Sequence, residues 1–267
     1  MGTKYPDIEL TRDGAVGIVE IQRPPHNFFD VLLINQIADA FKGLDEDPSC
    51  RAIVLASQGK SFCAGANFGS GSDESSGNEE FTEEGFRNRT GSLYEEGVRL
   101  FRAKKPLIAA VQGAAIGGGL GLSLVADFRV AAPEARFAAN FVKLGIHPGF
   151  GLTVTLPRLV GQQFANLMFF TGRRIKGDEA LERGLVDELV PLEEVRDRAI
   201  ALAKEIAENA PLAVASTRAT TRQGLADLIK TATDHELKEQ QWLRETEDAA
   251  EGIQAVAERR PGNFVGR

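Results

Sequence analysis

The chain alternates short apolar runs with longer stretches in which apolar residues recur at helical spacing. The short runs cover residues 16–21, 52–56, 107–111 and 128–132. Continuous apolar segments of this length are typical of strands that are buried on both faces of a sheet. Because helical stretches separate them, right-handed crossovers are expected, and the strands are predicted to be parallel.

The longer stretches predict helices. The first covers residues 28–44, where Val31, Ile34, Ala38 and Phe41 share one face. After residue 191 the strand-like runs stop, and three helices are predicted over residues 192–210, 212–230 and 234–259. The sequence therefore predicts an α/β core in residues 1–190 and a helical region in residues 191–267.

Composition narrows the classes of partner. The 267 residues are 43% hydrophobic and 26% charged, as in ordinary globular proteins, and the net charge of −7 argues against nucleic-acid binding. No apolar run approaches the ~20 residues of a membrane span, and the first residues lack the apolar core of a signal peptide. Two cysteines outside any CxxC pair fit a reducing compartment, so a soluble, cytoplasmic protein is expected.

Known nucleotide and metal motifs are incomplete. Residues 59–61 match the end of a phosphate-binding loop, but Val54 stands where its first glycine is required, and residues 117–121 do not complete a dinucleotide fingerprint. With three histidines in the chain, a metal site is not expected. Residues 69–78 predict a solvated loop, which runs into acidic residues 79–84; a lid beside a site is the alternative.

Two glycine-rich loops carry the candidate chemistry. One spans residues 60–67 after the second apolar run, and the other spans residues 112–119 after the third. Small residues let a ligand approach the backbone, and a helix that starts in such a loop presents unpaired N–H groups at the positive end of its dipole. Two such loops predict an oxyanion hole, whereas tight packing by glycine is the alternative for each loop alone.

Several segments carry a resemblance to one family. They are residues 62–67 (FCAGAN), 109–119 (AAVQGAAIGGG), 144–149 (LGIHPG), 156–161 (LPRLVG), 170–187 and 251–264. Together they resemble the crotonase, or enoyl-CoA hydratase/isomerase, superfamily over nearly the whole chain. The resemblance implies a spiral of ββα units with a C-terminal helical region that closes the site and forms a homotrimer or a dimer of trimers. It also implies a CoA thioester as substrate or ligand, with no metal or redox cofactor.

The resemblance also assigns site residues. It implies that the backbone N–H groups of Ala66 and Gly118 hold the thioester oxygen. The other residues expected to line the acyl-CoA site are Lys60, Ser61, Ala64, Asn67, Gly117, Phe141, Gly149 and Arg23. Arg23, Lys60 and Arg267 are candidates for binding the CoA phosphates.

The carboxylates of the family are missing. Hydratases that resemble this chain carry two glutamates, where this sequence has Gly121 and Phe141, and related isomerases and dehalogenases carry an acid where it has Gly149. Hydration needs groups that exchange protons near the α and β carbons, and neither glycine nor phenylalanine supplies one. Ordinary enoyl-CoA hydration is therefore not expected.

His147 and Tyr94 are the candidates to replace the missing acids. An imidazole with an ordinary pKa near 6.5 suits a general base, although His147 also suits a structural role in a turn. Tyr94 lies on a predicted helix, and Glu95 or residues 79–84 are further alternatives. Three functions follow: an acyl-CoA enzyme that works through an enolate with an unusual acid or base, a non-catalytic acyl-CoA-binding protein, or a structural oligomer.

Overall fold

The computed structural model of the chain describes residues 5–66 and 83–267. The strands are β1 Ile8–Asp13, β2 Val16–Ile21, β3 Ala52–Ser57, β4 Ser61–Cys63, β5 Leu107–Val111, β6 Ala114–Ile116, β7 Phe128–Ala131, β8 Arg136–Ala138, β9 Arg174–Lys176 and β10 Glu188–Leu189. The α-helices are α1 Val31–Glu46, α2 Glu83–Phe101, α3 Gly118–Ser123, α4 Leu152–Val160, α5 Gln162–Thr171, α6 Gly177–Glu182, α7 Val195–Ala207, α8 Pro211–Thr221, α9 Leu225–Leu243 and α10 Glu247–Ala257. Short 3₁₀ helices cover Asn140–Leu144 and Leu192–Glu194.

Two sheets form the core of this architecture. The larger sheet has the order β1-β2-β3-β5-β7-β10, and the smaller has the order β4-β6-β8-β9. The larger sheet is parallel except for β1, which forms an antiparallel hairpin with β2. Successive strands of the larger sheet are followed by strands of the smaller one, as in β3–β4, β5–β6 and β7–β8. The predicted spiral of ββα units is therefore confirmed.

The four predicted strands are confirmed as β2, β3, β5 and β7. The sequence did not reveal β10 or the strands of the smaller sheet, since segments of two or three residues are too short to show a period. It also did not reveal β1, which is mostly polar and exposed at the edge of the larger sheet. The first helix was predicted to start at residue 28 but starts at Val31. Asp30 caps it, because its carboxylate accepts a hydrogen bond from the N–H of Leu33.

The C-terminal region is helical, as predicted, but the breaks between its last helices were predicted at the wrong places. One helix was expected over residues 212–230, whereas α8 ends at Thr221 and α9 begins at Leu225, after Gly224 adopts a left-handed backbone with φ of +74°. That conformation suits glycine and stops a helix. The break expected between residues 230 and 234 does not exist, because α9 runs through it to Leu243. The single helix expected over residues 234–259 was also wrong, since α9 ends at Leu243 and α10 begins at Glu247, where the Thr246 side chain caps it.

Helix α7 packs directly on the larger sheet. Its Val195, Ala199 and Ala203 share one buried cluster with strand residues such as Val54 and Ile108. The division of the chain into domains at residues 190 and 191 stays a prediction. None of the described helices is both long enough and apolar enough to span a membrane.

A buried ionic cluster joins α8 to the strands. The carboxylate of Asp127 accepts hydrogen bonds from Arg218 Nε at 2.7 Å, Arg222 at 2.8 Å and the backbone N–H of Leu107 at 2.8 Å. Arg129, which is 1% exposed, lies alongside and pairs with Asp187 at 3.2 Å. Burial lowers the pKa of both Arg129 and Arg222. The cluster therefore holds three cations with two carboxylates.

Candidate active site

The first glycine-rich loop follows β4 and is held by the segment before α1. The N–H of Ala64 donates to the carbonyl of His26 at 2.9 Å, and the N–H of Phe29 donates to the carbonyl of Gly65 at 3.0 Å. Gly65 has a left-handed backbone with φ of +84°, which turns the chain toward Ala66. No acceptor for the N–H of Ala66 is present among the described residues.

The second loop follows β6 and leads into α3. The N–H of Gly117 donates to the carbonyl of Ala138 at 2.8 Å, whereas the N–H of Gly118, the first residue of α3, finds no acceptor in residues 5–66 or 83–267. Gly119 lies so close to the first loop that an added β-carbon would be 2.0 Å from the carbonyl oxygen of Cys63. Only glycine permits this approach.

The two loops are in direct contact. A β-carbon added to Gly65 would lie 2.8 Å from the carbonyl oxygen of Ile116 and 3.6 Å from the nitrogen of Gly118. Two backbone donors with no acceptor in the described part of the chain thus stand on adjacent loops, one of them at a helix start. Such donors stabilise an oxygen that gains negative charge.

Cys63 lies beneath this contact but is chemically inert. It is fully buried, and burial raises the pKa of its thiol to about 12. A thiol at that pKa carries almost no thiolate at neutral pH, so Cys63 is not a nucleophile.

Aromatic side chains occupy the positions around the missing carboxylates. A β-carbon on Gly121 would lie 2.9 Å from Cδ1 of Phe150, and a β-carbon on Gly117 would lie 3.7 Å from Cζ of Phe141. Phe29 covers Gly118, where an added β-carbon would be 2.2 Å from its ring. The side of the two loops that these three rings cover is therefore apolar.

Tyr94 fills the space beside Gly149. A β-carbon added there would lie 2.0 Å from the Tyr94 hydroxyl oxygen, so this phenol stands where an acidic side chain would begin. The hydroxyl donates to Oε1 of Gln240 at 3.0 Å, and Gln240 Nε2 donates to the carbonyl of His147 at 2.8 Å. Burial raises the pKa of Tyr94, which therefore stays protonated at neutral pH.

His147 faces α9. Its Nδ1 lies 2.7 Å from the carbonyl oxygen of Pro148, and its ring packs edge-on against exposed His235 with the centroids 6.0 Å apart. The Tyr94 hydroxyl instead lies against Gly149. The two acid–base candidates therefore have different surroundings. They are linked by the side chain of Gln240, which accepts from the Tyr94 hydroxyl and donates to the carbonyl of His147.

A buried glutamate on α9 was missed by sequence reasoning. Glu236, which is fully buried, accepts hydrogen bonds from the N–H of Gly151 at 2.8 Å and from the N–H and hydroxyl of Thr153 at 3.3 and 2.6 Å. It thus caps α4 from a position 85 residues away. Burial raises the pKa of Glu236, against the effect of these donors. No local motif in the sequence could have revealed this pairing.

Asn140 was also missed. Its Oδ1 is buried without a hydrogen-bond partner in the described part of the chain, and it lies 3.6 Å from where a β-carbon of Gly117 would be. An unpaired buried carbonyl is costly, so this atom is a polar group available to a ligand at the second loop.

The three residues expected to bind the CoA phosphates differ in their surroundings. Arg23 is engaged by Asp7 and Asp30, each at 2.9 Å. Lys60 is exposed beside a surface depression of about 560 Å³ that Arg136 also lines. Arg267 pairs with Glu247 at 3.1 Å.

The remaining expected positions lie close to the loops or outside the described residues. Ser61 is buried, and its carbonyl accepts a hydrogen bond from Asn27 at 2.7 Å, whereas Ala64 is half-buried. Asn67, the loop 69–78 and Glu79 and Glu80 lie outside the described residues, as do the side chains of residues 83 and 84. No group of three or more His, Cys, Asp or Glu side chains within the described ranges is arranged to hold a metal ion.

The fold and the paired loops define a protein of the crotonase class, and solved structures agree. The enoyl-CoA hydratase/isomerase from Pseudoalteromonas atlantica T6c superposes with a TM-score of 0.83 at 25% identity, covering 97% of this chain and all of that one. An enoyl-CoA hydratase from Bacillus anthracis superposes with a TM-score of 0.75 at 31% identity, covering 98% of this chain and 100% of the other.

Sequence comparison identifies the family. A family model described as enoyl-CoA hydratase/isomerase matches residues 11–267. Carnitinyl-CoA dehydratase from Salmonella paratyphi A is 35% identical over 265 residues, which cover 97% of this chain and 98% of the relative. The chain belongs to the enoyl-CoA hydratase/isomerase family, and the resemblance inferred from its motifs is confirmed.

Proposed function

We propose that this protein binds an acyl-CoA with its thioester oxygen between the N–H groups of Ala66 and Gly118 and stabilises the enolate that forms when the α-carbon loses a proton. The observation that carries this proposal is the pair of donors on adjacent loops for which residues 5–66 and 83–267 provide no acceptor. Family membership supports a CoA thioester as the ligand. No metal or redox cofactor is part of the proposal.

Exchange of α-protons tests this function without knowledge of the true substrate. Butyryl-CoA incubated with the protein in D₂O is expected to gain deuterium at its α-carbon, as followed by NMR, because enolate formation is reversible. Calorimetry with butyryl-CoA and free CoA measures binding in parallel. Absence of any preference for the thioester over free CoA would refute the proposal.

The proposed chemistry differs from ordinary hydration. A hydratase or dehydratase activity, as named for the relative from Salmonella paratyphi A, requires a group that handles water beside the alkene. Here the ring of Phe150 stands over Gly121, and Phe141 replaces the other glutamate.

We therefore expect hydration of crotonyl-CoA to be at least about 10²-fold slower than in a family member that carries both glutamates, the range typical for loss of a general acid or base. The decrease in absorbance of the conjugated thioester measures this rate. Hydration at a rate comparable with that of such a family member, assayed alongside, would contradict the expectation.

Tyr94 is the proposed proton carrier. Its neutral hydroxyl occupies the space of a side chain at Gly149, and its raised pKa makes it a proton donor at neutral pH. In this proposal the α-proton leaves to solvent water, and the Tyr94 hydroxyl returns a proton to the α-carbon of the enolate and regains one from solvent. His147 is the alternative, and its ring contacts near α9 give it weaker support.

Replacing Tyr94 with phenylalanine removes one oxygen and keeps the ring. If the hydroxyl carries the proton, Tyr94→Phe is expected to slow α-proton exchange by about 10²-fold or more, with butyryl-CoA affinity nearly unchanged. His147→Ala is the comparison variant, for which exchange is expected to stay near the parent rate. The reverse ranking would transfer the role to His147.

A non-catalytic acyl-CoA-binding protein is the second candidate. The hydroxyl of Tyr94 already donates to Gln240 and interacts with the backbone N–H of Phe150, which is an arrangement suited to holding structure. Under this function the parent protein binds butyryl-CoA more tightly than CoA but catalyses no exchange, so the same two assays separate the candidates.

A further inference from the structure

Phe150 has an unusual backbone. Its φ is +60°, in the left-handed region that bulky side chains rarely adopt, and its side chain is only 2% exposed. Strain of this kind persists where the surroundings fix it and is concentrated at functional sites. Contacts around Phe150 must therefore hold its backbone in this conformation.

The surroundings hold the turn at Phe150 from both sides. Before it, the Tyr94 hydroxyl lies against Gly149 and interacts with the N–H of Phe150 itself. After it, the fully buried carboxylate of Glu236 binds the N–H of Gly151 at 2.8 Å. Both holding groups come from helices outside the turn.

Two glycines provide the slot for the Phe150 ring. A β-carbon on Gly97 of α2 would lie 3.1 Å from Cε2, and one on Gly121 of α3 would lie 2.9 Å from Cδ1. The ring thus lies between α2 and α3 and contacts Phe29, with the centroids 5.3 Å apart. The space it shares with Tyr94 and Phe101 has no room for a water molecule.

The ring stands close to the proposed thioester site. Phe29 covers Gly118, and Phe150 covers Gly121 on the same helix. Three residues of helix rise about 4.5 Å, and with carbon–carbon bonds of about 1.5 Å that distance corresponds to about three to four carbons. An acyl chain that extends from Gly118 along α3 meets the Phe150 ring after that length.

We propose that Phe150 is a specificity-determining residue that closes the acyl pocket and restricts the protein to short-chain acyl-CoA thioesters of about four carbons or fewer. This proposal rests on the proposed function, because it assumes a thioester oxygen at Gly118. It assigns a role to the position where the family glutamate is absent: Gly121 is small because the Phe150 ring occupies its side-chain volume.

Chain-length selectivity tests the proposal. Calorimetry with acetyl-, butyryl-, hexanoyl- and octanoyl-CoA is expected to show octanoyl-CoA bound about tenfold or more weakly than butyryl-CoA by the parent protein. Phe150→Gly suits the left-handed backbone and removes the ring, so it is expected to reduce that gap to about threefold or less, mainly by binding octanoyl-CoA more tightly. Phe150→Leu is the second variant, and it should reduce the gap in part.

Phe41→Ala is the matched control, since it removes a buried ring of α1 whose position is outside the glycine-rich loops. It is expected to keep the parent selectivity. Equal affinity of the parent protein for octanoyl- and butyryl-CoA, or an unchanged gap in both Phe150 variants, would overturn the proposal. If no acyl-CoA binds the parent better than free CoA does, the proposed function itself fails, which is a different result from a change in selectivity.

Discussion

Replacing Gly118 with proline is expected to slow α-proton exchange of butyryl-CoA by about 10²- to 10³-fold, the usual effect of losing one oxyanion donor. Proline lacks the backbone N–H, and it is tolerated at the first position of a helix, which Gly118 occupies in α3. The substitution therefore removes the hydrogen-bond donor and leaves helix α3 intact. Infrared spectroscopy of bound thioester should show a smaller shift of the carbonyl stretch.

Gly118→Ala is the control for this substitution. Its β-carbon meets the ring of Phe29 as that of proline does, at 2.2 Å before any adjustment, but it keeps the N–H. The difference between the two variants thus isolates the donor. Equal exchange rates in Gly118→Pro and Gly118→Ala would remove Gly118 from the proposed oxyanion hole.

Replacing Asp127 with alanine is expected to lower the free energy of unfolding by about 3–5 kcal/mol, as when one partner of a buried ion pair is removed. Asp127 binds Arg218 and Arg222, whose side chains are 9% and 15% exposed. Without it, Arg218 and Arg222 would keep no carboxylate partner among the described residues, because Asp187 pairs with Arg129. Urea unfolding of the complete chain measures the change.

The matched control is Asp39→Ala. Asp39 pairs with Arg99 at 2.5 Å, but its side chain is 48% exposed, so a change of about 0–1 kcal/mol is expected. A loss for Asp127→Ala no larger than that for Asp39→Ala would show that the buried cluster contributes little to stability.

Much of the secondary structure could be predicted from the sequence. Strands β2, β3, β5 and β7 are apolar runs in the sequence. The glycine-rich loop 60–67 follows β3, and the glycine-rich loop 112–119 follows β5. Helix ends were harder to predict, since α1 starts where Asp30 caps it, and α8 and α9 are separated at Gly224. Local capping and backbone conformation decide these ends, and hydrophobic periodicity does not record them.

The site could be predicted only in part. The loops at Gly65 and Gly118 were found from their glycines, and contacts between the loops explain why those glycines are needed. Glu236, Gln240 and Phe150 could not be assigned roles, because each acts through partners from distant parts of the chain or through a backbone conformation with no sequence signature.

The sequence by itself determined the α/β class, the family and the absence of carboxylates at Gly121, Phe141 and Gly149. Those are properties of residue type and order along the chain. Only the tertiary structure decided what occupies the vacated space: the Phe150 ring over Gly121 and the Tyr94 hydroxyl beside Gly149. Close packing brings residues far apart in sequence within van der Waals distance, and their contacts depend on the assembled helices and sheets.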